Sequence, residues 1–208
     1  ILLQRFCNLV FNNVGVCSVG LNHIDMDYAK EKGIQIFNAP GLNANAVAEL
    51  TISKMLDISR GTMTANTDVK VKHEWDKYKF VGRELRGKTL GVMGFGRIGR
   101  RVGELGRAFG MTVVAYDPFL KAEDFEKEHA TGMSIDELLK AADFVSIHVP
   151  LTPETKDLFN AKSIAEMKDD AVVLNMSRGG IVNEKDMYEA LKAGKIGVRT
   201  SIITETSA

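Results

Sequence analysis

The stretch LGVMGFGRIGR places Gly94, Gly96 and Gly99 in the spacing GxGxxG, and Tyr116-Asp117 follows, the aspartate twenty-three residues after the first glycine. These residue types suit one piece of chemistry. Gly94 permits a tight turn out of the preceding apolar run. Gly96, with no Cβ, lets the main chain come up against a pyrophosphate, and Gly99 lets the following helix sit close to a sheet. The free N–H groups at the helix start face the phosphates, and the helix dipole favours their charge. The Asp117 carboxylate can accept hydrogen bonds from an adenosine ribose and would repel a 2′-phosphate. The pattern therefore predicts NAD in preference to NADP. Three glycines alone are a weak signal. Their place between an apolar strand and an amphipathic helix makes it a strong one.

Further candidates lie downstream. AVVLNMSRGG ends an apolar run with Asn175, Met176, Ser177 and Arg178. An arginine at a strand's carboxyl end can hold a carboxylate through two parallel hydrogen bonds. The same spacing also fits an arginine that caps a helix or pairs with a surface acid. VSIHVPLTPET puts His148, Val149 and Pro150 at another strand end. Here His148 reads as a hydrogen-bonded strand-end histidine beside a proline that turns the chain over the cofactor, in preference to a catalytic base. His23, His73 and His129 carry no motif. In GVCSVGLNHID, Ser18, Val19 and Gly20 form a small-residue loop whose N–H groups can meet a small anion.

The elements that must position these residues follow from periodicity. Strands are predicted over 9–16, 34–37, 88–93, 112–116, 144–149 and 171–175. Helices are predicted over 25–32, 45–59, 97–109, 134–141, 161–167 and 184–193. The 45–59 helix is apolar around most of its surface, through Val47, Leu50, Ile52, Met55, Leu56 and Ile58, which predicts burial or a partner. The 97–109 helix carries Ile98, Val102, Leu105 and Phe109 at helical spacing. Ser134 and Glu137 form a capping-box pattern. Residues 62–75 read as an exposed or wrapping arm, and the lysines of 70–79 as a solvated face. Alternating strands and helices predict an α/β fold with a doubly wound parallel sheet.

Composition excludes several classes of function. Lys+Arg and Asp+Glu both number 27 in 208 residues, so net charge drives no binding to nucleic acid or to an anionic membrane. No apolar run approaches the roughly 20 residues that cross a bilayer, and no stretch reads as a signal peptide. Cys7 and Cys17 make neither a disulfide framework nor a metal site and read as reduced thiols, which implies a cytoplasmic setting.

Taken together, GFGRIG with Tyr116-Asp117, HVPLTPET and NMSRGGIVNE occur in the order and spacing of the D-isomer-specific 2-hydroxyacid dehydrogenases. VGLNHID and FNAPGLNANAVAEL also resemble that family, and the likeness covers nearly all of 14–196. Within it, CSVGLNHID and FNAPGLN most resemble the branch that oxidises 3-phosphoglycerate. The resemblance implies a Rossmann NAD-binding domain over 43–208 and, over 1–42, a remnant of a flavodoxin-like substrate domain. It implies cofactor contacts at Gly94, Gly96, Arg97, Ile98, Gly99, Asp117, His148, Val149, Pro150, Met176, Ser177 and Arg178. Arg178 matches the family's catalytic arginine. Val19, Gly20 and Asn43 match residues that meet a small 2-hydroxy or 2-oxo acid. The helix at 45–59 and the arm after it match homodimer contacts. The family's catalytic glutamate and histidine have no counterpart here: the glutamate position falls near Ser207, and the histidine falls beyond Ala208. The sequence therefore reads as the centre of a dehydrogenase, truncated at both ends. A glyoxylate or hydroxypyruvate reductase of the same family and a non-catalytic NAD-binding module are the alternatives.

Overall fold

A computed structural model describes residues 12–17, 20–21, 23–76 and 78–196. The chain divides into two compact units, Ile1–Asn45 and Ala46–Ala208.

In the first unit, β1 (Asn13–Val16) and β2 (Gln35–Asn38) pair in parallel, joined by α1 (Met26–Glu31). The strand expected from residue 9 thus begins at Asn13, and 9–11 lie outside the described residues. Asp25 starts α1 by accepting a hydrogen bond from the Tyr28 N–H at 2.9 Å. Ile24 and Ala29 are buried, with Val14, Val16, Ile34 and Ile36 packed on them. Cys17 is exposed, and Cys7 lies outside the described residues.

Helix α2 (Ala44–Arg60) leads into the second unit. It is followed by α3 (Thr62–Thr67) and a single π turn, Asp68–Lys72. Then come β3 (Thr89–Met93), α4 (Arg97–Ala108), β4 (Thr112–Tyr116), α5 (Ala122–Lys127), β5 (Thr131–Gly132), α6 (Ile135–Ala141), β6 (Phe144–Ile147), α7 (Ala161–Glu166), β7 (Val172–Asn175) and α8 (Glu184–Lys192). The five strands pair in parallel in the order β5-β4-β3-β6-β7. Alternate residues of each strand enter opposite cores. Leu90, Val92, Val113, Ala115, Phe144 and Leu174 pack with residues of α2, α4 and α5. Met93, Val114, Val145, Ile147 and Val173 pack with residues of α6, α7 and α8. Helices on both faces of a parallel sheet make the fold doubly wound. Its order reverses between β3 and β6, and the crevice outside the carboxyl ends of those two strands is where such sheets take their ligands.

Two expectations need correction. Helix α2 is not buried all round. Ala48, Thr51, Ile52, Met55 and Ser59 face inward, Val47, Leu56 and Ile58 are half-buried, and Leu50 is exposed. The buried face of α4 is Gly99, Val102, Gly103 and Gly106. Of the expected apolar stripe only Val102 is on it; Ile98 and Leu105 flank it, and Phe109 is exposed. Glycines carry that face because a Cβ on Gly106 would stand 2.6 Å from Leu90 Cδ2 and one on Gly103 3.3 Å from both Phe95 Cε2 and Val113 Cγ1. The segment 62–75 is exposed over most of its length, as expected of an arm, but it begins as helix α3 and the π turn, and Asp68 within it is buried and pairs with Lys72 at 2.8 Å and Lys79 at 2.5 Å.

No helix among the described residues is long and apolar enough to cross a membrane.

Candidate functional site

The turn after β3 places Gly94 directly at the reversal of strand order. Its φ is +87°, and a Cβ on it would lie 2.9 Å from the carbonyl carbon and oxygen of His148, at the end of β6. Only glycine suits both the conformation and the space. A Cβ on Gly99 would stand 2.1 Å from Gly94 O, so the start of α4 rests directly on the turn. Gly96 differs: nothing lies within 4 Å of its Cβ position. It is exposed and stands at the N-cap of α4, where extended backbone leads into the helix. The backbone that leads into α4 is therefore uncrowded on the Cβ side of Gly96, the kind of close approach a diphosphate needs at a helix start. Arg97 is exposed beside it and Ile98 half-buried.

Asp117 follows β4, and its carboxylate already works within the protein. Oδ2 accepts from the Phe95 N–H at 2.9 Å and Oδ1 from the Phe119 N–H at 3.0 Å. A carboxylate has about four acceptor positions, so two remain for ribose hydroxyls. The Phe95 amide, by contrast, is committed to Asp117.

At the end of β6, His148 Nε2 lies 2.7 Å from Ser146 Oγ, while Nδ1 is sealed from solvent with no partner. Burial pushes its pKa down to about 4. The imidazole is thus neutral, and it is no proton acceptor for chemistry in an open crevice. Val149 is buried against Gly94, and Pro150 is exposed.

At the end of β7, the buried Asn175 accepts from the Ser177 N–H and hydroxyl, each at 3.1 Å, and donates from Nδ2 to Arg178 O at 2.7 Å. The Arg178 Nη1 donates to Ser177 O at 2.8 Å. The guanidinium pairs with no acid among the described residues and caps no helix. Met176 and Ser177 are half-buried on the same sheet edge. In the first unit, Gly20 is half-buried and Asn43 exposed in the turn before α2. Val19 and Ser18 lie outside the described residues, as does everything after Ile196.

Sequence spacing gives no role to Ser146 or Arg100, and it places Asn175 at a strand end without its bonds to Ser177 and Arg178. Ser146 and Asn175 are polar residues inside apolar strand runs, which is a usable signal. Arg100 donates from Nε to Phe95 O at 3.1 Å, and its spacing four residues after Gly96 hints at that reach.

Residues 52–200 match the family model described as the NAD binding domain of D-isomer specific 2-hydroxyacid dehydrogenase. A D-3-phosphoglycerate dehydrogenase of Methanocaldococcus jannaschii is 46% identical over 184 residues, which are 88% of this chain and 35% of that protein. A hydroxypyruvate reductase of Thermotoga maritima is 43% identical over 86% of this chain and 57% of its own length. The chain thus spans about a third to a little over half of these relatives. Among solved structures, D-lactate dehydrogenase of Aquifex aeolicus, complexed with NAD and lactic acid, superposes with a TM-score of 0.80 at 37% identity, over 99% of this chain and 61% of that one. The reversal in strand order, the open Gly96 cradle and the family match over most of the chain agree, and the chain belongs to the D-isomer specific 2-hydroxyacid dehydrogenases, of which it carries the NAD-binding domain.

Proposed function

We propose that this chain is the cofactor-binding part of an enzyme that interconverts a D-2-hydroxy acid and its 2-oxo acid, with D-3-phosphoglycerate as the substrate. The observation that carries the reading is the Gly96 cradle at the sheet's reversal point, with Asp117 at the neighbouring strand end. Gly94, Gly96, Arg97, Ile98 and Gly99 would hold the diphosphate, and Asp117 the adenosine ribose. His148, Val149, Pro150, Met176 and Ser177 would line the strand ends against the rest of the cofactor. NAD, when bound, supplies a hydride acceptor for the carbon that bears the hydroxyl. Arg178, whose Nη1 is held by Ser177 O, would offer its remaining N–H groups to the substrate's carboxylate, with Val19, Gly20 and Asn43 as the further substrate contacts. Residues 1–42 would belong to the substrate domain and 43–208 to the cofactor domain.

The choice of 3-phosphoglycerate rests on relatives with that name at 46%, 42% and 43% identity. The hydroxypyruvate reductase at 43% supports a second reading, in which the phosphate-free acid is the substrate. We also infer a cytoplasmic homodimer, formed through α2 and the arm that follows it.

Calorimetric titration tests the core of the reading. NADH should bind with a dissociation constant well below that of NADPH. Folded protein that gives no heat with NADH would overturn it. A panel of 2-oxo acids assayed with NADH on the full-length protein distinguishes the two substrates.

A further inference from the structure

Phe95, between the first two loop glycines, is gripped on both sides of its backbone. Its N–H donates to Asp117 Oδ2 at 2.9 Å, and its carbonyl accepts from Arg100 Nε at 3.1 Å. Its ring is fully buried, 5.5 Å from that of Phe125. Arg100 is itself anchored. Its backbone N–H bonds Gly96 O at 2.9 Å, and its Nη1 reaches Glu128 Oε1 at 3.0 Å. Glu128 caps the C-terminal end of α5, and its carbonyl accepts from Arg107 Nη1 at 2.5 Å.

The Phe95 carbonyl and the Gly96 N–H belong to one planar trans peptide, so they point in opposite directions. An arginine that draws the carbonyl toward α4 and α5 thereby turns the Gly96 N–H away from them. Gly96 has no side chain and nothing packed on its Cβ position, so little else holds that peptide against rotation.

We infer that Arg100 and Glu128 are positioning residues for the diphosphate loop: through the Phe95 carbonyl they fix the direction of the Gly96 amide, and neither touches the cofactor. The inference rests on the NAD reading above and adds two residues that the loop motif does not contain.

Fluorescence titration of the full chain with NADH tests it with two variants. Arg100→Met keeps an unbranched apolar stem that reaches about as far as Nε and removes the donors, and should weaken NADH about five- to tenfold. Glu128→Ala leaves the loop intact and makes the protein more positive. A pure charge effect would then tighten NADH, whereas a loosened grip weakens it about two- to fivefold. Adenosine, which has no diphosphate, should compete with its wild-type affinity in both variants. Glu128→Ala protein that binds NADH as well as wild type or better would overturn the inference, and so would an equal loss for adenosine. If Arg100→Met does not fold, the half-exposed Glu128 carries the test alone. Wild-type protein that binds no NADH sinks the cofactor reading instead, which keeps the two failures apart.

Discussion

The imidazole of His148 illustrates how one buried nitrogen sets a pH dependence. Its pKa is about 4 because burial disfavours the cation, against an ordinary 6.5. The unfolded chain takes up a proton near pH 6.5 that the folded chain refuses until about pH 4. The full stability is therefore present above pH 6.5 and is lost as pH falls from there toward 4, by about 2 kcal/mol at pH 5. Urea midpoints at pH 7.5 and pH 5 check this: His148→Gln, which does not titrate, should lose less stability than wild type by about that amount. Equal losses would mean that the ring titrates normally. Asp117 gives a second prediction at this scale. Because Oδ2 holds the Phe95 amide, Asp117→Ala removes both the proposed ribose acceptor and a support of the loop. NADH affinity should fall about tenfold or more, from one charged hydrogen-bonding group lost at each of two places. NADPH should gain relative to NADH without reaching wild-type NADH affinity. A variant that binds NADPH as tightly as wild type binds NADH would show that the loop needs no such support. The place of Asp117 at the strand end was legible in the sequence, since it closes the apolar run that follows the glycine loop and its helix. The bond to Phe95 was not, because it joins two strand ends through a direction of the side chain that no spacing encodes.

Helix α4 shows the same division at the level of elements. A Cβ on Gly99 would stand 2.1 Å from the backbone oxygen of Gly94, which cannot move without moving the turn. Gly99→Ala should cost about 2 kcal/mol or more and abolish NADH binding. On Gly103 the nearest atoms are ends of Phe95 and Val113 side chains at 3.3 Å, which can give way. There the helix propensity gained over glycine, about 1 kcal/mol, offsets the crowding, and Gly103→Ala should stay within about 1 kcal/mol of wild type. Denaturant unfolding of both variants decides it, and equal costs would refute the close-approach argument. The sequence pointed to Gly99 through its motif, while Gly103 and Gly106 went unread because a small residue leaves no apolar signal. The same blindness moved the buried stripe onto Ile98, Leu105 and Phe109. Strands β3, β4, β6 and β7 were legible because burial on both faces makes them unbroken apolar runs. Helix α5 and β5 were not, since Phe125 is the single buried residue of α5 and both residues of β5 are exposed. The capping box at α6 was read correctly: Ser134 and Glu137 exchange hydrogen bonds, with the Ser134 N–H on Glu137 Oε2 at 2.9 Å. Such a motif closes within four residues and needs no tertiary knowledge.

At the scale of the molecule, the outstanding feature of the second unit is apolar surface left in water over one continuous stretch of chain. Leu50, Met63, Val69, Val71, Trp75, Tyr78 and Val81 are all exposed, Val71 by 71%, Trp75 by 81% and Val81 by 80%. Scattered apolar side chains are ordinary on a surface, but seven exposed within thirty-two residues are a concentration along the chain that suits an interface. Asp68 is buried between Lys72 and Lys79, and the π turn and the residues after it are pinned to that carboxylate. A second copy of the chain is the proposed partner, since the patch includes α2 and the arm that the family resemblance assigns to dimer contacts. Trp75 is the sequence's one tryptophan and reports on the event directly. Sedimentation at micromolar concentration should give twice the 22.9 kDa chain mass, and the emission of Trp75 should shift to the red on dilution. Val71→Asp places a charge in the middle of the patch and should yield a monomer, because an unpaired charge buried at an interface costs several kcal/mol. The variant should still bind NADH, since Val71 touches none of the residues of the glycine loop. A wild-type chain that sediments as a monomer at these concentrations, with Trp75 emission independent of dilution, would leave the patch without its partner and the homodimer disproved.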